Sequence, residues 1–198
     1  MIIRRQTTSV ILLYLKMHKK LNNAIFPGVC SSYHLHHVAG KVVALAEFEE
    51  YGEAYAKDIV QNSRALAESL AAEGFDVLAE SRNYTASHQV LTRHGDIDSG
   101  AGAKAAKTLE DVGIITNMNM LPGDTKALTP SGLRLGVQEL TRVGMGKNEM
   151  AEVAKLFARA LIDNEDLNRV KQDVTTLKSN FQTIRYCFNE DEISGYPL

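Results

Sequence analysis

The order of hydrophobic patterns along this chain predicts an α+β layer, in which a small sheet is covered by helices. From residue 52 onward the apolar residues recur either every three to four positions, as in helices, or every second position, as in strands. The resulting order is helix, two strands, helix, two strands and two helices. Elements in this order are typical of a small sheet with helices packed on it.

Turn and capping residues set the predicted boundaries of these elements. Gly74 and Gly113 each end a helix, and a Pro-Gly pair marks a turn at Leu121–Asp124. In chain order, the predicted elements are a buried strand at Ser9–Leu15, helices at 38–50 and 52–73, strands at 75–79 and 88–93, a helix at 103–112, strands at 114–117 and around Arg134, and helices from about Asn148 and from about Asn164.

The stretch Thr129–Gly136 contains the most informative charged residue. Two leucines alternate with Arg134 and Gly136, which is the period of a half-buried strand, so Arg134 points away from the leucines. Gly132 and Gly136 leave space on both sides of it. A guanidinium in such a slot is suited to bind a carboxylate through two parallel hydrogen bonds. A structural ion pair is the alternative interpretation of the same pattern.

The last predicted helix has an apolar seam, whose members recur at alternating steps of three and four residues. The seam consists of Leu167, Val170, Val174, Leu177, Phe181 and Ile184. A seam of this kind packs either on the body of its own chain or on a second chain.

Composition limits the classes of protein to consider. The 198 residues suffice for one domain, or for a small domain and a fragment of another. Residues 1–46 contain six Lys/Arg and no Asp/Glu, but no nucleic-acid-binding motif accompanies them. An acid-free start is also typical of an organelle transit peptide. Cys30 and Cys187 form no CxxC pair, and no apolar run has membrane-spanning length. We therefore expect a cytoplasmic protein with no nucleic-acid or membrane partner.

Two patterns suggest metal ligands but are incomplete. Three histidines lie within segment 34–37, yet no HExxH motif or cysteine pair completes a zinc site. Asp96 and Asp98 begin like a calcium loop, but the glycine offset differs and Lys107 stands where the closing Glu belongs. We predict no metal site.

Five segments carry the most distinctive combinations of residues: Lys19–Gly28, His36 with Ala39-Gly40-Lys41, Gly113–Asn119, Ser131–Gly136 and Leu140–Gly144. In this order and with this spacing, they resemble serine hydroxymethyltransferases. The resemblance runs from about residue 9 to residue 162 and covers about the C-terminal half of the family's catalytic chain. It implies an α/β architecture of the fold-type-I pyridoxal-phosphate class. Residues 1–45 would be the tail of the large cofactor domain. Residues 46–198 would be the small domain, a short antiparallel sheet covered by helices, with a helical C-terminal extension.

The resemblance also implies roles for individual residues. Arg134 matches the arginine that binds the carboxylate of the amino-acid substrate, and Asn119 matches an asparagine near the folate. Gly28, Ser31 and Ser32 stand where the family has a glycine-rich run that binds the phosphate of pyridoxal 5'-phosphate. From the residues alone, Ser31 and Ser32 are equally suited to cap a helix.

One family feature is missing from this sequence. The Schiff-base lysine of the family follows a Thr-Thr-His sequence, whereas here Thr7-Thr8 is followed by Ser9. Counting back from Phe26 places that lysine at or before the first residue. We therefore expect no catalytic residue in this chain and no core chemistry from the chain alone.

The function that the resemblance implies is reversible, pyridoxal-phosphate-dependent transfer of a one-carbon unit between serine or glycine and a tetrahydrofolate-type carrier. The expected partner is a second copy in a homodimer or an N-terminal half chain. A threonine-type aldolase with the same cofactor is a related possibility. The alternative from another class is a non-catalytic small-domain protein that binds a full-length relative or another partner.

Overall fold

The computed structural model describes residues 17–29, 34–163 and 165–189. By their contacts the residues divide into two compact units, Met1–Ala46 and Glu47–Leu198. The strand predicted at Ser9–Leu15 lies outside the described residues, as do Ser31 and Ser32. None of the helices in the described ranges combines the length and hydropathy needed to cross a membrane.

The described helices and strands have the following bounds. The helices are α1 (Leu35–Ala72), α2 (Ala101–Asp111), α3 (Gln138–Arg142), α4 (Lys147–Leu161) and α5 (Leu167–Ser179). The strands are β1 (Asp76–Val77), β2 (Gln89–Arg93), β3 (Asn117–Asn119) and β4 (Gly132–Gly136). Before α1, residues 17–29 are helical with a break at Phe26 and Pro27, where the backbone angles are not helical. Proline lacks the N–H that a helix interior requires, which accounts for a break at Pro27.

The four strands form one antiparallel sheet in the order β1-β2-β4-β3. Alternate residues of β4 are buried, as the sequence pattern predicts, and Leu133 and Leu135 face the core. One face of the sheet is covered by helices, which contribute buried apolar residues to a single cluster. Its members include Leu66 and Leu70 from α1, Leu109 from α2, Met150 and Phe157 from α4, and Val170 from α5. The prediction of a short antiparallel sheet covered by helices is confirmed.

Three elements differ from their predicted form. The two helices predicted at 38–50 and 52–73 are one continuous helix, α1, with Gly52 in its interior. A glycine inside a helix costs only about 1 kcal/mol relative to alanine, which the packing of a long helix outweighs. The strand predicted at 114–117 is instead β3, because the N–H of Ile114 still closes the end of α2 by donating to Leu109. The short helix α3 was not predicted.

The seam of the last helix packs on the body of this chain. Val170 is completely buried, and Val174, Leu177 and Phe181 pack against the core cluster. The helix ends at Ser179, so the predicted seam does not continue to Ile184, which is 58% exposed.

An arginine of α4 pairs with carboxylates on the segment before α5 and in the middle of α5. The guanidinium of Arg159 donates two hydrogen bonds to Glu165, at 2.7 and 3.0 Å, and one to Asp173 at 2.7 Å. These carboxylates raise the pKa of Arg159. This paired geometry orients α5 and thereby its seam.

Hydrogen bonds from α1 fix the segment that follows β4. Asn62 is buried, and its Nδ2 donates to Thr141 Oγ1 at 3.0 Å and to the carbonyl of Met145 at 2.9 Å. Thr141 Oγ1 in turn donates to the carbonyl of Val137 at 2.8 Å. Tyr55 donates to the carbonyl of Gln138 at 3.0 Å. The end of β4 is therefore tied to α1 at several points.

Replacing Asn62 with Ala should destabilise the protein by about 1–3 kcal/mol, because the buried Thr141 hydroxyl and Met145 carbonyl lose their donor. Urea denaturation followed by circular dichroism measures the change. Glu68→Ala, at an exposed position of the same helix, is the matched control and should be nearly neutral. Equal midpoints for the two variants would show that the Asn62 network contributes no stability.

Candidate functional site

Arg134 lies in the middle of β4 on the face of the sheet opposite the core. It is half-buried, and its neighbours Leu133 and Leu135 point the other way, into the core. Among the described residues, Arg134 forms no ion pair and no side-chain hydrogen bond. The structural ion pair that the sequence left open is therefore not observed there, and the guanidinium is available to a ligand.

The strand register places Asn119 on the same face as Arg134. Arg134 is opposite Leu91 on β2 and opposite Asn117 on β3, while Asn119 is opposite Gly132. Residues in this diagonal relation are about 7–8 Å apart. Asn119 is half-buried, and its Nδ2 donates to the carbonyl of Met120 at 2.6 Å. The structure thus brings together two of the predicted binding residues.

The space around Arg134 is bounded by two side chains, and we call it the Arg134 slot. At one end, the side chain of Leu121 occupies the position that a Cβ on Gly132 would take, and Leu121 is 3% exposed. At the other end, Gln138 Oε1 lies 2.6 Å from where a Cβ on Gly136 would stand. The sequence analysis identified neither Leu121 nor Gln138, although Gly132 and Gly136 indicated space for another group close to β4.

Asp124 holds the loop that carries Leu121. Its carboxylate accepts hydrogen bonds from the N–H groups of Leu121, Ser131 and Asp98, at 2.9, 2.9 and 2.8 Å, and from Ser131 Oγ at 2.8 Å. These donors favour the ionised form and hold the pKa of Asp124 far below its usual range. Asp124 thus connects the turn at residues 121–124 to the start of β4.

Asp98 makes the reciprocal connection. Its carboxylate accepts hydrogen bonds from Thr125 Oγ1 at 2.6 Å and from the N–H groups of Thr125 and Lys126 at 2.8 Å each, which lowers the pKa of Asp98. The residues that begin like a calcium loop therefore join two loops. Within the described ranges, no group of three or more His, Cys, Asp or Glu side chains is placed to hold a metal ion.

The residues predicted to bind the cofactor phosphate are described only in part. Gly28 is exposed and belongs to the first unit, whereas Arg134 and Asn119 belong to the second. A Cβ on Gly28 would lie 3.0 Å from the carbonyl oxygen of Asn23, so the turn is tight at this point.

Comparison with solved structures shows the class of fold. The L-threonine transaldolase from Pseudomonas fluorescens, solved in its internal aldimine state, superposes with a TM-score of 0.74 at 28% sequence identity. The match covers 86% of this chain and 39% of that chain. This chain therefore has the architecture of the C-terminal part of a fold-type-I pyridoxal-phosphate enzyme.

Comparison of sequences shows the family. A sequence model of serine hydroxymethyltransferase matches residues 3–157. Serine hydroxymethyltransferases from Thermococcus kodakarensis and Pyrococcus horikoshii are 52% and 54% identical over 181 and 172 residues, which are 90% and 86% of this chain. The one from Thermoplasma acidophilum is 47% identical over 181 residues, or 90% of this chain. The chain belongs to the serine hydroxymethyltransferase family. It spans 41%, 40% and 41% of the length of these relatives.

Acidification should weaken the loop connection made by Asp124. Because the folded-state pKa is depressed, the carboxylate stabilises the protein above its unfolded pKa of about 3.9, and this stability is lost as the pH falls through the lower folded pKa. Asp124→Asn should therefore melt at a lower temperature than the wild type at about pH 7, and the difference should narrow toward about pH 3.

Thermal melts of the wild type and of Asp124→Asn between about pH 7 and about pH 3 measure the difference in melting temperature. Asp163→Asn, at an exposed position, serves as the control and should follow the wild type throughout. A difference between Asp124→Asn and the wild type that does not change with pH would contradict the assigned role of the ionised carboxylate.

Proposed function

We propose that this chain provides the substrate-binding side of a pyridoxal-phosphate-dependent serine hydroxymethyltransferase site. The reaction is the reversible transfer of a one-carbon unit between serine or glycine and a tetrahydrofolate-type carrier. The observation that carries this proposal is Arg134, whose half-buried guanidinium has no ion pair among the described residues and shares a sheet face with Asn119. Family membership supports the reaction type.

Arg134 binds and orients the amino acid in this proposal. Two parallel hydrogen bonds from its guanidinium to the substrate carboxylate fix the rotation about Cα, so that the bond to be broken stands perpendicular to the cofactor ring. The cofactor, when bound, supplies an electron sink for that bond. Asn119, on the neighbouring strand, is placed to contact the folate carrier.

Several residues of the first unit fit the phosphate of the cofactor. The exposed main chain at Gly28 is accessible to an anion, and the hydroxyls of Ser31 and Ser32 are suitable donors. We propose that residues 1–45 belong to the cofactor domain. The apolar side chains of Leu35 and Leu45, 72% and 70% exposed, support a further part of the fold packing on this region.

The lysine that bonds the cofactor must come from outside the residues that match the family here. We propose that an N-terminal part of the fold, on a separate or longer chain, provides it. The cytoplasm, where both cysteines remain reduced, is the proposed location. The second candidate function is a non-catalytic protein that binds a full-length relative, for which the exposed apolar side chains of Leu35 and Leu45 are equally suited.

Reconstitution tests the main proposal. This chain is combined with the remaining, lysine-bearing part of the Thermococcus kodakarensis relative, and conversion of serine to glycine is measured with pyridoxal phosphate and a tetrahydrofolate-type carrier. Activity that requires both parts is the expected result. No activity from a stable complex of the two would favour the non-catalytic alternative.

In the active assembly, Arg134→Lys should lower kcat/KM for serine by about 100-fold, since lysine cannot make the paired hydrogen bonds to the carboxylate. Arg169→Lys, at an exposed position on α5, is the control and should retain wild-type activity. Unchanged kcat/KM in Arg134→Lys would show that another residue binds the carboxylate.

Treatment of the chain alone with pyridoxal phosphate and borohydride tests whether the cofactor lysine lies outside this chain. We expect no adduct, or adducts scattered over surface lysines, in the mass spectrum. A single adduct on one lysine, lost on addition of an amino acid, would mean that this chain has a complete cofactor site of its own.

A further inference from the structure

We infer that Gln138 is a second ligand of the substrate carboxylate, acting beside Arg134. The inference rests on the proposed function of Arg134 and adds a residue to that site. It arises from the two ends of the Arg134 slot, which differ in chemistry. The end at Gly132 is closed by the apolar side chain of Leu121, whereas the end at Gly136 is lined by the carboxamide of Gln138.

The strand geometry places this carboxamide close to the guanidinium. Gly136 and Arg134 are two residues apart on β4, so a Cβ on Gly136 would point to the same face as the side chain of Arg134. Their Cα atoms are about 6.6 Å apart. Gln138 Oε1 lies 2.6 Å, and Nε2 3.8 Å, from the position of a Cβ on Gly136. The Gln138 side chain therefore turns back over the strand onto the face that carries Arg134.

The main chain of Gln138 is held by a hydrogen bond, whereas its side chain has no hydrogen-bond partner among the described residues. Its carbonyl accepts the hydrogen bond from Tyr55, which anchors it to α1. Its carboxamide makes no hydrogen bond with any described residue, and the side chain is half-buried. A half-buried amide without a protein partner has hydrogen-bonding capacity left for a ligand. The anchored main chain limits the positions that the amide can reach.

The chemistry of the slot matches a carboxylate better than other small ligands. Arg134 supplies donors in a planar fork, and the Nε2 of Gln138 adds one more donor from the side. The sheet face around them carries no carboxylate within the described strands except Asp76, which is paired with Arg93 at 3.5 Å on the far side of β2. A carboxylate in the slot thus accepts two charge-assisted hydrogen bonds from Arg134 and one hydrogen bond from the neutral Gln138 amide. No unpaired carboxylate of the described strands lies on the same face to repel it.

Every residue of this binding arrangement lies in the second unit, so the full chain by itself should bind a simple carboxylate. The test is a titration of isotope-labelled full-length chain with glycine, and separately with acetate, followed by side-chain NMR. The Arg134 Nε–H and Gln138 amide signals are assigned from the Arg134→Lys and Gln138→Leu spectra. Methylammonium, which has no carboxylate, is the ligand control.

Both side-chain signals should move with one common midpoint, at about 10 mM for so small a ligand. Gln138→Leu should raise the midpoint about tenfold, because the ligand carboxylate loses the hydrogen bond from the Gln138 amide. Gln138→Asn, which withdraws the amide by one methylene, should also raise it. Gln138→Glu should abolish binding, because its carboxylate occupies Arg134. The control variant Gln172→Leu, exposed on α5, should bind like the wild type.

The outcomes separate the inference from the function on which it rests. If the Arg134 signal moves but the Gln138 amide does not, and both Gln138→Leu and Gln138→Asn keep the wild-type midpoint, Arg134 binds the carboxylate alone and the inference is wrong. If neither signal moves with glycine or acetate, the carboxylate site itself is absent, and the proposed role of Arg134 fails with the inference. Movement with methylammonium as well would likewise contradict carboxylate recognition.

Discussion

The absence of side chains at Gly102 and Gly132 is the constraint on which much of this structure depends. On the core side, α2 approaches so closely that the missing Cβ of Gly102 faces the backbone of Gly132. On the opposite side, Leu121 fills the place of a Gly132 side chain. Close packing of this kind leaves no room for even a methyl group. Gly102 therefore determines how near α2 lies to the sheet, and Gly132 leaves the space that Leu121 fills to close the Arg134 slot.

The loops and the helix around β4 hold its two ends by polar contacts. Before the strand, Asp124 binds the N–H and hydroxyl of Ser131. After the strand, Asn62 and Tyr55 on α1 bind α3 and the segment that follows it. Buried hydrogen bonds that are fully paired make a local structure specific, since any shift leaves a polar group without a partner. Arg134 is thus presented from a strand whose register is well defined.

This arrangement explains how the second unit keeps the surface around Arg134 ordered. The sheet, the helices α2 to α5, the part of α1 from Glu47 onward and the residues of the Arg134 slot all lie in the second unit, which has its own apolar core. The first unit instead exposes apolar side chains along the start of α1, among them Leu35 and Val42. A surface of that composition is suited to contact with another protein surface rather than with water. The proposal that the second unit binds the substrate, while another part of the fold provides the cofactor lysine, agrees with this difference between the two units.

The sequence by itself determined the elements whose patterns are local. The alternation around Arg134 predicted both a strand and an outward-facing guanidinium, and glycines such as Gly74 predicted helix ends, because periodicity and backbone freedom are properties of short segments. Family membership followed from several short segments in order. The continuity of α1 through Gly52 was not predictable in this way, since distant packing outweighed a local preference.

Only the tertiary structure decided what surrounds Arg134. Leu121 and Gln138 reach the slot from a loop and from a helix start, and Asn119 reaches the same face through the pairing of β3 with β4. Asp98 and Asp124, which resembled a metal loop and a simple turn in the sequence, join two loops across 26 residues. These contacts depend on strand register and on close approach between segments far apart in the chain, and local patterns carry no information about either.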